Sequence, residues 1–453
     1  MNLNNLHNVY FIGIGGIGMS NLALYLEHLG KHVWGYDKTH SPITKLLENK
    51  GINIHYTIDL ERLKSQNPDK ETTLIVYTPA VKREEHAELD YLLINGYKVI
   101  KRAQLLSIVT NESICLAVAG THGKTTTSAL LGHILYEADF EASSFLGGIS
   151  ENYNSNLILN GSKYTVVEAD EYDRSFLQLH PDYACITATD ADHLDIYITE
   201  EEFIEGFQTF ASQVKKEVFV HENSAVTGKT FGLEKTNDYA AINIKINNGI
   251  YHFDLKTPNA VFRNLNITLP GKHNIINALA AITLANSIGV SIENITNALA
   301  SFKGIARRFS FRIKDKNKVL IDDYAHHPTE LTALYNTVRE LYPGETISIY
   351  FQPHTYSRTK DFFEGFTKIL ARFDNVHVLP IYAAREHPIK GITSENLAQE
   401  INKINQHTNH VNPKELYDFV KNDKNRIIVM AGAGDIGEMI TEITQKLKQE
   451  TYA

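Results

Sequence analysis

The sequence predicts an α/β protein of three domains in series, and three observations carry that reading. The chain has 453 residues, too many for a single ordinary core. Short apolar runs alternate with helix-like segments in its first and last parts, the pattern of parallel strands joined by crossover helices. Two glycine-rich turns, one at Gly13–Gly18 and one at Gly120–Thr126, each follow an apolar run and open a helical pattern.

The first block, residues 1–106, carries the apolar runs VYFIG, HVWGYD, TLIVYTPA and YKVIKR. Gly13, Gly15 and Gly18 spell G-x-G-x-x-G. Such glycines permit a tight strand-to-helix turn and let a pyrophosphate approach the amides at the helix N-terminus. An acidic residue is expected about 20 residues on, at the end of the second strand. Asp37 stands there. The match is complete for a nucleoside-diphosphate site in a Rossmann-like domain. It does not choose among NAD, FAD and UDP-sugars, each of which carries a pyrophosphate beside a ribose.

The second block, residues 107–310, opens with the strand-like run ICLAVAG, which leads directly into THGKTTT. A strand, a glycine turn, Gly123-Lys124-Thr125 and a helix make a P-loop ATPase-like unit. Lys124 can reach β- and γ-phosphates, the Thr125 hydroxyl can ligate Mg²⁺, and the backbone amides can cradle the phosphates. The general P-loop places its first glycine where Val118 stands, so Gly120 serves and the loop is short. A γ-phosphate is thus handled, which a simple dehydrogenase does not need. Two further strands end in acidic clusters: Glu168, Asp170, Glu171 and Asp173 after one, Asp190, Asp192, His193 and Asp195 after the other. Ligands collect at the carboxyl ends of such strands, and Mg²⁺ takes few protein oxygens. Glu168 and His193 are the candidates here; Asp173 and Asp195 read as solvated strand-end charge. Further on, Ile242, Ile244 and Ile246 alternate, Asn248-Gly249 turns, and Tyr251, Phe253 and Leu255 resume, which is a β-hairpin signal. A helix follows from about Asn274 to Ser287.

The third block, residues 311–453, has the apolar runs VLIDD, ISIYFQP, VHVLPIY and IIVMAGAG, a second Rossmann-like pattern. Asp322, Asp323, Tyr324, His326 and His327 follow the first of them; His354, Tyr356 and Arg358 follow the second; Arg307 and Arg308 mark the junction. The adjacent histidines lack an H-x-x-x-H spacing or a cysteine partner, so zinc is not expected. No Ser-His-Asp or Cys-His nucleophile is evident. In a reaction where one substrate's carboxylate attacks ATP, the nucleophile comes from the substrate, and the protein supplies position and charge.

Composition narrows the class. Charged residues are 21%, hydrophobic ones 43%, and the net charge is -9, with no long basic run. Nucleic acid and an anionic membrane are therefore not expected partners. The two cysteines, Cys115 and Cys185, lie in strand-like runs and read as core residues of a reducing compartment. The N-terminus shows no signal-peptide pattern, and no apolar stretch approaches the ~20 residues of a membrane span. The expectation is a cytoplasmic protein, a monomer or weak homodimer.

FIGIGGIGMS, AGTHGKTTT, EADEYDRSFL, DADHLDIY, PGKHNIINALAA, GIARRF, DDYAHHPTE, FQPHTYSRT and GAGDIG occur in this order. With them the chain resembles the Mur ligases, the ATP-dependent amide-forming enzymes of peptidoglycan precursor synthesis, over almost its whole length. The resemblance implies that domain 1–106 binds a UDP-sugar, domain 107–310 binds ATP and domain 311–453 binds an amino acid. It implies UDP-N-acetylmuramate and L-alanine as substrates, with ATP and Mg²⁺. Gly15, Gly16, Ile17, Gly18 and Asp37, with Thr78, Pro79 and Ala80, would meet the UDP portion. Gly120, Thr121, His122, Gly123, Lys124, Thr125 and Thr126 would hold the phosphates. Thr125, Glu168 and His193 would serve the metal, and Asn274 and Asn277 would approach the adenine. Arg308 and Asp323 would engage the nucleotide. Tyr324, His326 and Arg358 would shape the amino-acid region. Lys124, His193, Glu168, Arg358 and His326 would form the catalytic set.

Two departures from the family pattern stand out. Asp192 to Val214 contains no lysine, so the carbamylated lysine that bridges metal in later-acting members is absent from this stretch. The FQPH motif usually continues with arginine, but Thr355 stands there and Arg358 follows. The nearest alternative is a recycling ligase that adds L-Ala-γ-D-Glu-meso-diaminopimelate to the same sugar nucleotide. A nicotinamide-dependent oxidoreductase is the reading of the first loop alone.

Overall fold

The computed structural model describes residues 3–66, 68–189, 199–247, 249–384 and 386–451. Each of the three sequence blocks contributes one sheet. The first sheet has five parallel strands in the order Asn53–His55, His32–Tyr36, Asn8–Ile12, Thr73–Tyr77, Lys98–Lys101. Strand Asn8–Ile12 is central and buried from Val9 onward, because helices cover both faces of a parallel sheet. Its chain leaves through Gly13 into helix Ile17–His28.

The second sheet has ten strands among the described residues. Its parallel part runs Tyr239–Asn247, Lys229–Gly232, Glu217–His221, Tyr183–Ile186, Ile114–Ala119, Tyr164–Ala169, Ala142–Ser150. Ser155–Leu159 closes one edge in antiparallel sense. At the other edge the expected hairpin is present: Tyr239–Asn247 pairs antiparallel with Ile250–Lys256. A third antiparallel strand, Val261–Ile267, extends it. Helix Lys124–Glu137 follows the central strand Ile114–Ala119, and helix Lys272–Ser287 lies in the expected region.

The third sheet has the order Ser310–Lys314, Val319–Asp323, Ile427–Ala431, Ile347–Phe351, Asn375–Val378, Thr408–His410, parallel except for its first strand. Ile347–Phe351 and Ile427–Ala431 are buried at every residue.

The chain packs as two compact units: residues 1–268 with 274–303, and residues 269–273 with 304–453. Within the first unit, helix Ile17–His28 is seated on the central sheet. Asn21 Nδ2 donates to the Leu146 carbonyl at 3.2 Å, and Asn156 Nδ2 donates to the Ile17 carbonyl at 2.7 Å and to Ser20 Oγ at 2.8 Å. Tyr25 meets Phe145 edge-on, ring centroids 5.1 Å apart. These contacts fix the first glycine loop relative to the second. Among the described residues, no helix is long and apolar enough to cross a membrane.

Candidate active site

The first loop leaves its strand at Gly13, where φ is +85°. The Gly13 and Ile14 amides donate to the Tyr36 carbonyl at 2.8 and 3.0 Å, which folds the loop over the end of the second strand. Gly15 donates its amide to Asp37 Oδ2 at 2.8 Å. A Cβ on Gly15 would lie 2.7 Å from Thr44 Cγ2 and 2.8 Å from Asp37 Oδ2, so only glycine fits. Gly16 caps helix Ile17–His28, whose first amides face outward from the loop. Thr78 packs on Gly13, while Pro79 and Ala80 form an exposed turn beyond it.

The second loop has Gly120 at φ +128° and Gly123 at φ +82°, the latter capping helix Lys124–Glu137. Thr121 donates its amide to the Ala188 carbonyl at 3.1 Å. The Thr187 hydroxyl bonds the Ala119 and His122 carbonyls. The loop is therefore held to the end of the neighbouring strand. Asn277 lies over Gly123, where a Cβ would overlap Asn277 Oδ1. Asn277 in turn donates to Asn274 Oδ1 at 3.1 Å, and both are buried.

The acidic turn after strand Tyr164–Ala169 completes this site. Lys124 Nζ donates to both carboxylate oxygens of Glu171 at 2.8 Å and to the Gly120 carbonyl at 2.6 Å. Glu168 accepts from the Gly147 amide at 2.5 Å, Ser128 Oγ at 3.0 Å and Thr125 Oγ1 at 3.2 Å. Burial pushes its carboxyl pKa above the usual range even though these donors and Lys124 pull it down. Thr125 and Glu168 thus present a hydroxyl and a carboxylate side by side, the carboxylate one that burial disfavours as a bare charge, a pair of hard oxygen donors that suits Mg²⁺. His193, the third expected metal residue, lies outside the described residues, as do Asp190, Asp192 and Asp195.

Both loops open on one cleft. A cavity of about 380 Å³ is lined by Gly16, Ile17, Gly18 and Thr78 from the first domain and by Lys124, Gly147 and Glu168 from the second. Sites that the sequence shows a hundred residues apart share one space.

The second unit gathers its own polar cluster at the carboxyl ends of its strands. His326 Nδ1 lies 2.8 Å from the Tyr324 carbonyl and 3.3 Å from Glu330 Oε2. The rings of His326 and His354 are 5.8 Å apart, and Arg358 Nη1 lies 3.3 Å from His354 Nδ1. Burial lowers the pKa of both imidazoles, His354 to about 4, so His354 is neutral at pH 7. Arg308 lies over the Tyr324 ring, 5.5 Å from its centroid. Tyr324, His326, Arg358 and Arg308 are therefore brought together. Asp323 has a different environment: its oxygens accept from the Phe309 and Ala325 amides at 2.7 Å, and burial pushes it up to about 6. Thr355 caps the short helix Tyr356–Asp361 with φ +63°.

Three family models match consecutive parts of the chain: Mur ligase family, catalytic domain, over residues 8–113; Mur ligase middle domain over residues 118–285; and Mur ligase, glutamate ligase domain over residues 307–436. The UDP-N-acetylmuramate–L-alanine ligase of Flavobacterium psychrophilum is 51% identical over 452 residues, 99% of this chain and 100% of that protein. The chain belongs to the Mur ligase family. The crystal structure of a UDP-N-acetylmuramate–alanine ligase from Thermotoga maritima aligns with TM-score 0.84 and 27% identity, covering 98% of this chain and 99% of that one. A murein peptide ligase from Psychrobacter arcticus aligns with TM-score 0.69 and 22% identity, covering 97% and 98%. The latter is a likeness of fold.

Two residues at the candidate site of this Mur ligase escape sequence reasoning. Glu171 was visible only as one of four carboxylates; the signal that singles it out is the need of a P-loop lysine for a counter-charge. Arg102 lines the same cleft from the end of the first domain. No motif marks it.

Proposed function

We propose that this Mur ligase joins L-alanine to the lactyl carboxylate of UDP-N-acetylmuramate at the expense of ATP, in peptidoglycan precursor synthesis in the cytoplasm. The observation that carries this is the single cleft lined by Gly16–Gly18 and by Lys124 and Glu168. A sugar nucleotide on the first loop and a triphosphate on the second would meet there, as phosphoryl transfer requires. A dehydrogenase has no use for the second loop.

Residues 1–106 take the UDP portion through Gly15, Gly16, Ile17, Gly18 and Asp37. Residues 107–310 take ATP through Gly120–Thr126, with Asn274 and Asn277 near the adenine. In residues 311–453, Tyr324, His326 and Arg358 receive the amino acid. The lactyl carboxylate attacks the γ-phosphorus, giving an acyl phosphate and ADP. The alanine amine then attacks the acyl carbon, loses a proton, and phosphate leaves. Lys124 offsets the charge on the phosphoryl oxygens as they transfer. Thr125 and Glu168 would hold Mg²⁺, which supplies further neutralisation of the phosphates. Neutral imidazoles at His326 and His354 can accept the amine proton.

The test is phosphate release from ATP with UDP-N-acetylmuramate across a panel of amino acids and L-Ala-γ-D-Glu-meso-diaminopimelate. L-alanine should support turnover and the tripeptide should not. Turnover with the tripeptide alone would replace this function by recycling. Oxidation of a nicotinamide cofactor without phosphate release would overturn it.

A further inference from the structure

We propose that Arg102 is the side-chain anchor for the diphosphate of the sugar nucleotide, an inference that rests on the function proposed above. Arg102 begins helix Arg102–Thr110, directly after strand Lys98–Lys101. Its guanidinium is thereby delivered to the carboxyl end of the first sheet, where ligands of such sheets bind. It lines the cleft beside Gly16, Ile17, Gly18 and Thr78.

The third glycine of the first loop exists in this chain to admit that guanidinium. A Cβ on Gly18 would lie 2.6 Å from Arg102 Nη1 and 3.3 Å from Cζ. The positive group is therefore pressed against the first turn of helix Ile17–His28. A cation at a helix N-terminus opposes the helix dipole. Arg102 also stands at the start of its own helix, with Lys101 before it. Among the described residues its ion pair is with Asp170, 3.8 Å from Nη2, and the guanidinium makes no hydrogen bond. A group with five N–H donors is thus left facing the cleft with a loose ion pair. The Gly16 amide donates to the Gly13 carbonyl at 3.3 Å, so an anion in front of this turn would satisfy the Ile17 and Gly18 amides and the guanidinium together. A diphosphate has the oxygens to take both and the fork geometry that arginine matches.

Isothermal titration of the full-length protein tests this with UDP, UDP-N-acetylmuramate and Mg·ADP as probes. Arg102→Ala should weaken UDP and UDP-N-acetylmuramate alike, by roughly 10–100-fold, the worth of charge-assisted hydrogen bonds. Mg·ADP affinity should stay as in the wild type, which also certifies the fold. Arg102→Lys should recover part of the loss, and Asp170→Asn should not weaken UDP. Unchanged UDP affinity in Arg102→Ala overturns the proposal. So does a loss confined to UDP-N-acetylmuramate, which would place the guanidinium on the lactyl carboxylate. Equal losses of all three probes in Arg102→Ala and Asp170→Asn would make the ion pair structural and overturn it too. A wild type that binds Mg·ADP but no uridine nucleotide would overturn the proposed function, and this inference with it.

Discussion

Lys124 Nζ lies 2.8 Å from each carboxylate oxygen of Glu171, and the Glu171 side chain has no exposed surface. With the Gly120 carbonyl as third acceptor, all three ammonium protons are engaged. Lys124, the proposed phosphate ligand, is thus held by a buried acid three residues beyond the carboxylate that bonds Thr125. Removing Lys124 alone takes the ammonium away from that buried acid. Lys124→Ala should therefore lose ligation and also about 3–5 kcal/mol of stability, the usual cost of breaking a buried pair. Lys124→Ala with Glu171→Gln should regain most of the stability, recover no ligation, and still bind UDP-N-acetylmuramate. Denaturant melts and titration check this. Equal stability of the single and double variants would sink the pairing argument.

Glu168 gives a pH-dependent expectation. Its folded-state pKa is raised, chiefly by burial. The ionised form is then disfavoured in the folded protein relative to the unfolded one. The folded state is helped by Glu168 below its unfolded pKa of about 4.3, and that help is lost as pH rises through the folded pKa. At neutral pH, Glu168→Gln should melt higher than the metal-free wild type, and the difference should vanish toward pH 4. Mg²⁺ should raise the wild-type melting temperature and leave the variant unmoved. Ligation by the variant should fall by roughly a hundredfold or more, as when a charge-stabilising group is removed from a reacting centre. A variant that melts lower than wild type at pH 7 would contradict the sign.

Both glycine loops were legible because their geometry is local: the strand end, the turn and the cap lie within one short stretch. The hairpin was legible for the same reason. Strand Val261–Ile267 was not, because it is a largely exposed edge whose residues do not alternate cleanly. Nor were contacts made across long separations. Glu171 reaches Lys124 over 47 residues. Glu88, on a helix of the first domain, is fully buried and bonds Tyr10 and His55, 78 and 33 residues away. Burial of a carboxylate depends on which elements pack over it, and sequence period does not report that. Asp323 adds a role that its motif does not report: its oxygens accept two backbone amides, which fixes the turn at Phe309.

The Glu88 cluster also bears on acid stability. Burial pushes its carboxyl up, but hydrogen bonds from His55, Tyr10 and the Asp59 amide outweigh it and leave the pKa lowered. Its contribution is present above the unfolded pKa of about 4.3 and lost as pH falls through the folded value. Tyr10→Phe should weaken this by about 1–3 kcal/mol at pH 7, the range for a hydrogen bond to a buried charge. The loss should shrink below pH 4, which urea melts across pH would read. A pH-independent loss would assign the effect to packing.

Gly15→Val should separate the two substrate sites. The added side chain would overlap Thr44 and the Asp37 carboxylate, which bonds the Gly15 amide. Overpacking of this kind costs about 1–3 kcal/mol, or roughly 10–100-fold in affinity if the bound loop bears it. UDP-N-acetylmuramate binding should weaken by that factor, while Mg·ADP binding should hold. Parallel loss of both would show that the first loop supports the whole unit.

Gly123 combines two constraints that a pair of substitutions can pull apart. Its φ of +82° sets a left-handed cap, which costs an alanine about 1–2 kcal/mol. Its missing Cβ leaves room for Asn277 Oδ1, which a methyl group there would overlap. That overlap adds about 1–3 kcal/mol if Asn277 stays in place. Gly123→Ala should therefore lower stability by more than strain alone accounts for. Asn277→Ala has its own cost, since it removes the hydrogen bond to Asn274. In combination the two losses should sum to less than their separate values, because truncating Asn277 opens the space that the introduced methyl group needs. The shortfall in denaturant melts measures the overlap, and what Gly123→Ala still costs in the truncated background measures the strain. Strict additivity would mean that Asn277 moves aside freely, and the contact between the two would then carry no energetic weight.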